Sequence, residues 1–206
     1  MAVRRRLAAL LAPAVAAGLM ATPLAGTAPA AGAAAAEHPS RAVFHDGRGD
    51  VWREDPKTET SVRLHHYPRA DETRVVLRHG ASAITVRARF VDLQPVGTHN
   101  FWVHLRTRAY QWDAVVMSTP GHRASQRYFQ GDDGAKRCVG FTRTISYSDN
   151  LVTMRIPNSC IHDARWVKLG LFNQLSYGKK GPTYYDNALT HQQWGGRPPK
   201  LYAPSA

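Results

Sequence analysis

The sequence predicts an all-β fold: a single antiparallel β-sandwich or jelly roll with one disulfide, behind an N-terminal signal peptide. Three observations predict it. Apolar side chains recur at every second position in several short stretches, the period of a half-buried strand. Glycine, proline, asparagine and aspartate gather between those stretches, where tight turns need them. Two cysteines, Cys138 and Cys160, stand in a chain that opens like an exported protein, a setting in which a disulfide forms and persists.

The opening segment runs from charge to apolar residues to small residues. Arg4, Arg5 and Arg6 precede an Ala/Leu-rich stretch from Leu7 to about Met20, interrupted by Pro13. That order is a secretory signal, and the apolar part is short of the roughly 20 residues a membrane-spanning helix needs. Cleavage is expected after Ala36, with Ala25 and Ala28 as alternatives, so residues 1–36 are removed and the rest is secreted and extracellular. No cysteine near the cleavage region invites lipidation, and no second apolar stretch suggests a membrane anchor in the processed chain. The remaining residues suit one domain with a real core.

The precursor carries 27 basic and 15 acidic residues, a net charge of +12. Removing the leader takes three arginines and no acid, leaving +9. Such charge suits teichoic acids, acidic polysaccharide, phospholipid or nucleic acid. Nucleic-acid binding on this basis would be independent of base sequence and weakened steeply by salt. The basic residues are spread along the chain, however, which favours a role in solubility.

Along the chain, residues 37–72 read as an irregular arm with at most a short strand. Residues 73–178 hold the sandwich. Arg74 to His79 and Ser82 to Leu93 form a hairpin around Gly80-Ala81. In its second strand Ile84, Val86, Ala88 and Phe90 share one face, and Thr85, Arg87 and Arg89 the other. Asn100 to Arg108 alternates again, with Phe101, Val103 and Leu105 opposite Trp102, His104 and Arg106. Trp112 to Met117 is a strand ended by Pro120-Gly121, and Gln126 to Gln130 a short one near an edge. Gly131-Asp132-Asp133-Gly134 is a turn.

Val139 to Tyr147 and Leu151 to Ile156 form a second hairpin. A two-residue turn at Asp149-Asn150 pairs Tyr147 with Val152 and Ile145 with Met154, placing all four on the core face with Ile156. Continued outward, this register sets Cys138 against Ile161 and Cys160 against Val139, one residue out of step. The disulfide therefore needs a bulge or break, for which Gly140 and Pro157 are the candidates. Ala164 to Phe172 is the last strong strand. Residues 179–206 are turn-rich and aromatic, with Tyr184, Tyr185 and Trp194, and are expected to pack on the sandwich.

Two stretches carry a resemblance. Ala70 to Leu93, ending in Arg89, Phe90, Asp92 and Leu93, and the later Pro157, Ser159, Cys160, Arg165, Trp166, Val167 and Gly170 resemble a group of small secreted actinobacterial proteins. The resemblance implies a β-sandwich similar to carbohydrate-binding modules and brings no activity with it. Asn158 departs from the pattern, in which arginine is commoner at that position.

Catalytic chemistry finds little support. Glu37, Glu54, Glu59 and Glu72 all precede the strong strands, and Asp92, Asp132, Asp133, Asp149, Asp163 and Asp186 fall at predicted turns, where aspartate serves the backbone. Asp113 alone lies within a strand. A Gly-x-Ser-x-Gly elbow is missing. His65 and His66 point to opposite faces of any strand. Neither they nor His99 with His104 make a metal motif. Asp46 and Asp50 offer hard oxygens but lack the spacing of a twelve-residue calcium loop, and read as a solvated turn. The adhesion-like tripeptide Arg48-Gly49-Asp50 is too short to weigh. No metal and no cofactor are expected.

The best candidate ligand site is the face bearing Trp102, His104 and Arg106, with Tyr110 and Trp112 close behind. Flat rings stack on sugars or bases, and arginine forks onto phosphate or carboxylate. The leading expectation is a secreted, non-catalytic binding module for an anionic polymer or glycan of the cell envelope. Two alternatives are a small secreted hydrolase or lyase using Asp113 with His104 or Arg106, and a structural or inhibitory domain that meets a protein partner through an edge strand.

Overall fold

A computed structural model describes residues 38–132, 134–190 and 198–204. The expected leader, Asp133 and Trp194 lie outside the described residues. The strands are β1 (Arg41–His45), β2 (Val51–Asp55), β3 (Thr60–Leu64), β4 (Glu72–His79), β5 (Ala83–Phe90), β6 (Thr98–Arg106) and β7 (Gln111–Thr119). They continue with β8 (His122–Gly131), β9 (Gly134–Ala135), β10 (Thr142–Ser146), β11 (Leu151–Pro157), β12 (Trp166–Ser176), β13 (Thr183–Asp186) and β14 (Lys200–Tyr202). One 3₁₀ turn, Asn158–Ile161, follows β11. No helix among the described residues is long and apolar enough to cross a membrane.

The strands form two antiparallel sheets packed face to face. The smaller has the order β1-β4-β5-β11-β10, and the larger β3-β2-β13-β12-β6-β7-β8-β9, with β14 also on β12. Because the strand period is two, each sheet sends alternate side chains inward. Val75, Leu77, Ile84, Val86, Ala88 and Phe90 come from the smaller sheet and meet Phe101, Val103, Leu105, Leu169 and Leu171 of the larger, all 3% exposed or less.

Residues 38–72 hold three strands where their polarity suggests an irregular arm. Ala42 and Phe44 of β1 pack on the core while Arg41 and His45 face solvent, so this strand alternates after all. By contrast, β3 shows no apolar period and owes its form to pairing with β2. Downstream, β13 and β14 add to the same edge of β12, one after the other, so the C-terminal segment extends the larger sheet.

The second hairpin differs from the expected register by two residues. Ile145 pairs with Val152 and Ser146 with Leu151, leaving Tyr147 to Asn150 as a four-residue loop. Both cysteines lie beyond the ladder. Gly140 takes a left-handed φ of +81°, and a Cβ there would sit 3.2 Å from Pro157 Cγ. Pro157 ends β11, the 3₁₀ turn begins, and Cys160 swings onto Cys138 with their Cα atoms 5.2 Å apart. Gly140 and Pro157 thus supply the break that the bond requires. Asn158 is buried in the same corner and donates through Nδ2 to the carbonyls of Gly80 and Ala81, at 3.0 and 3.1 Å. It ties the first hairpin's turn to the disulfide region.

Candidate functional site

Of the five residues expected on one ligand face, the structure brings three together. Trp102 is half-buried on the outer face of the larger sheet, and His104 and Arg106 follow it, exposed. Their neighbours on β7 are Val115, Asp113 and Gln111, and on β12 Phe172, Gly170 and Lys168. Trp112 does not join them. It lies opposite Leu105 and points inward with Ala114 and Val116, only 6% exposed. The phase of β7 decides this: Asp113 and Val115 take the outward positions, so the tryptophan before them is core. Tyr110 is exposed but sits in the β6–β7 turn, where its ring lies 5.4 Å from Trp112 and 5.2 Å from His162. It borders a separate depression of about 270 Å³ at the end of the sandwich, with Ala164, Arg165 and Trp166.

Antiparallel pairing places His104 directly across from Asp113. The Nδ1–H of His104 donates to Asp113 Oδ1, and Gln130 Nε2 donates to Asp113 Oδ2 at 3.3 Å. This orients the imidazole through Nδ1 and leaves Nε2 without a hydrogen-bond partner among the described residues. On the other flank stands Gly170, with no side chain. A shallow depression of about 170 Å³ opens here, lined by His104, Gln111, Trp112, Asp113, Gln130, Gly131 and Asp132. Among the described residues, the lining pairs an imidazole with a carboxylate and offers no hydroxyl, thiol or amine.

The smaller sheet holds a site that the one-dimensional reading misses. Its outward positions are Arg41, Val43 and His45 on β1; Arg74, Val76 and Arg78 on β4; and Thr85, Arg87 and Arg89 on β5. They continue with Leu151, Thr153 and Arg155 on β11, and Thr142, Thr144 and Ser146 on β10. Six of these are arginines and none is acidic. Arg41 pairs with Arg78, and Arg74 with Arg89, so these arginines are direct cross-strand neighbours on one face. A groove of about 390 Å³ runs between Arg41, Arg74, Arg78, Arg87 and Arg89 over Val76. Among the described residues none of the six makes an ion pair within 4.0 Å. Arg89 and Arg155 reach only the Asp149 carbonyl and the Ser82 hydroxyl. Six arginines that are spread along the sequence are therefore gathered on one face. The signal was present: Arg87 and Arg89 alternate outward, and folding the hairpin sets Arg74 and Arg78 beside that strand.

Asp46 and Asp50 are also not the solvated turn expected of them. Asp50 is 2% exposed, and one carboxylate oxygen from each of Asp46, Asp50 and Asp186 lies within 4.8 Å of the others. His99 is a core residue pointing away from His104, and its Nε2–H donates to the Gln94 carbonyl at 2.9 Å. No family model, no curated protein and no solved structure matches this chain.

Proposed function

We propose that the protein is a secreted, non-catalytic module that binds an anionic polymer of the cell envelope through the arginine face of its smaller sheet. The observation that carries this is six arginines on one sheet face with no acid among them. Packing like charges together destabilises a folded protein, and a ligand of opposite sign relieves that repulsion. The cations are all arginine, whose planar fork grips phosphate and carboxylate with two parallel bonds. Same-face residues recur about every 6.7 Å along a strand and strands lie about 4.8 Å apart. The face is thus a grid of positive charge suited to an extended chain with repeating anions. The leader-like N-terminus and the resemblance to secreted sandwich proteins support the extracellular setting.

The test is titration with a linear polyphosphate, a polyuronate and a neutral glucan at low salt. Both polyanions are expected to bind and to raise the melting temperature, and the glucan to do neither. The double variant Arg87→Ala/Arg89→Ala should bind at least about tenfold more weakly, with a salt slope reduced by roughly two. Unchanged affinity in that variant would refute the assignment.

A second reading rests on the His104–Asp113 pair. An imidazole oriented by a carboxylate, with Nε2 free in a depression, is a general base that can activate water. Under this reading the substrate is a polymer lying on the outer face of the larger sheet, on the side of the sandwich away from the arginine face. Chain-length analysis after incubation decides: cleavage lost roughly 100-fold or more in Asp113→Asn would support it, and polymer of unchanged length would end it.

A further inference from the structure

The pentapeptide Asp46-Gly47-Arg48-Gly49-Asp50 carries the chain from β1 of the smaller sheet to β2 of the larger. Two other strand ends meet it there. β4 of the smaller sheet begins at Glu72, preceded by Asp71, and β13 of the larger sheet ends at Asp186. We propose that Asp46, Asp50 and Asp186, beside the buried Glu72, bind a calcium ion that fastens the two sheets together at this crossing.

The ligand oxygens are already gathered. Those of Asp46, Asp50 and Asp186 lie within 4.8 Å of one another, which is the span of two oxygens on opposite sides of a calcium ion with bonds of about 2.4 Å. The donor set is entirely carboxylate, the hard oxygen chemistry that calcium prefers.

An independent observation comes from Glu72. Its side chain is completely buried. Its backbone N–H donates to Asp186 Oδ2, and its Oε2 accepts from the Ala188 N–H at 3.2 Å, which hold the carboxyl beside Asp186. The other oxygen, Oε1, is buried without any hydrogen-bond donor. Asp71 repeats the pattern at 4% exposure: Oδ2 accepts from the Gly49 N–H at 2.8 Å, and Oδ1 has no donor. A buried carboxylate oxygen with no donor is costly, and a cation is what would satisfy it.

Electrostatics agrees. Glu72 and Asp186 are both buried, and like charge acts on each, from Asp46 on Glu72 and from Glu72 on Asp186. Among the described residues, the guanidinium of Arg63 approaches Asp50 at 3.9 Å and Arg48 acts on Asp71. A divalent ion at the cluster offsets the repulsion among these carboxylates. Asp46 is half-buried, whereas Asp50 and Asp186 are buried.

The test uses the processed, secreted chain, stripped with a chelator, desalted and titrated with calcium chloride or magnesium chloride. One calcium per chain by elemental analysis is expected, with a melting temperature raised by roughly 5–10 °C at saturation and by less with magnesium. Asp46→Asn, which leaves the core untouched, should keep the β-sheet circular dichroism and weaken calcium binding about tenfold or more. Absence of bound calcium, an equal response to magnesium, or a calcium response that Asp46→Asn leaves intact would each overturn the proposal.

Discussion

His99 lies on the core face of β6, fully buried against Phe101, with ring centroids 5.6 Å apart. One ring nitrogen donates to the Gln94 carbonyl, and the other is buried with no partner, so the ring is stable only when neutral. Burial accordingly lowers its pKa from 6.5 to about 4. The unfolded chain takes up this proton near pH 6.5, whereas the folded chain resists until about 4. The contribution to stability is therefore complete above pH 6.5 and drains away as the pH falls through that window, by roughly 3 kcal/mol in all. His79, held through Nδ1 against the Leu201 carbonyl, has its pKa lowered by burial as well and adds in the same direction. Urea unfolding at pH 7 and pH 4.5 is the check. The wild-type protein should lose stability between the two, and His99→Gln should lose markedly less; equal losses would show that another group titrates. Glycine matters at this scale too. Gly49 has φ +78°, and a Cβ there would stand 2.5 Å from the His65 carbonyl oxygen, so only glycine lets its N–H reach Asp71.

At the scale of single elements, the sequence was a good guide wherever one face of a strand is buried. The inward set Ile84, Val86, Ala88 and Phe90 is legible because a shift of one residue would turn all four to solvent. The β10–β11 hairpin shows where that logic stops. A shift of two residues keeps every side chain on its own face, so Ile145 opposite Val152 and Ile145 opposite Met154 satisfy the apolar pattern equally. The turn breaks the tie. Asn150 adopts a left-handed φ of +54°, and its Oδ1 accepts from the Leu93 N–H at 2.7 Å, a contact from another part of the chain that no local reading contains. The break at Gly140 and Pro157, by contrast, was legible, because a disulfide between out-of-step residues demands one. Its closure of a loop with sequence separation 22 contributes roughly 3 kcal/mol. Trp112 was misplaced for a related reason: a tryptophan after a turn signals a ring to be buried or displayed, and only the phase of Asp113 and Val115 tells which.

Over the whole molecule, strand order does what no single stretch can. Arg41 on β1 and Arg155 on β11 are far apart in the chain and reach one surface only because β1, β4, β5 and β11 are neighbours in the smaller sheet. Asp46, Asp50 and Asp186 converge because β1 and β2 belong to different sheets and β13 closes beside β2. A net charge alone would make every basic residue equivalent, whereas a built face makes position decisive. The two cases separate in a matched pair of variants. Lys179 and Lys180 are exposed in the β12–β13 loop of the larger sheet, away from the arginine groove. Lys179→Ala/Lys180→Ala and Arg87→Ala/Arg89→Ala each remove two positive charges from exposed positions. If overall charge drives binding, both weaken polyphosphate binding alike, because long-range attraction depends on net charge and is screened over about 8–10 Å at ordinary salt. If the smaller sheet grips the polymer, the lysine pair changes affinity less than about twofold, and the arginine pair at least tenfold. The difference should persist at 150 mM salt, where contacts with individual anions survive and diffuse attraction fades. Equal losses in the two variants, vanishing together as salt rises, would return the charge to the role of keeping the protein dissolved.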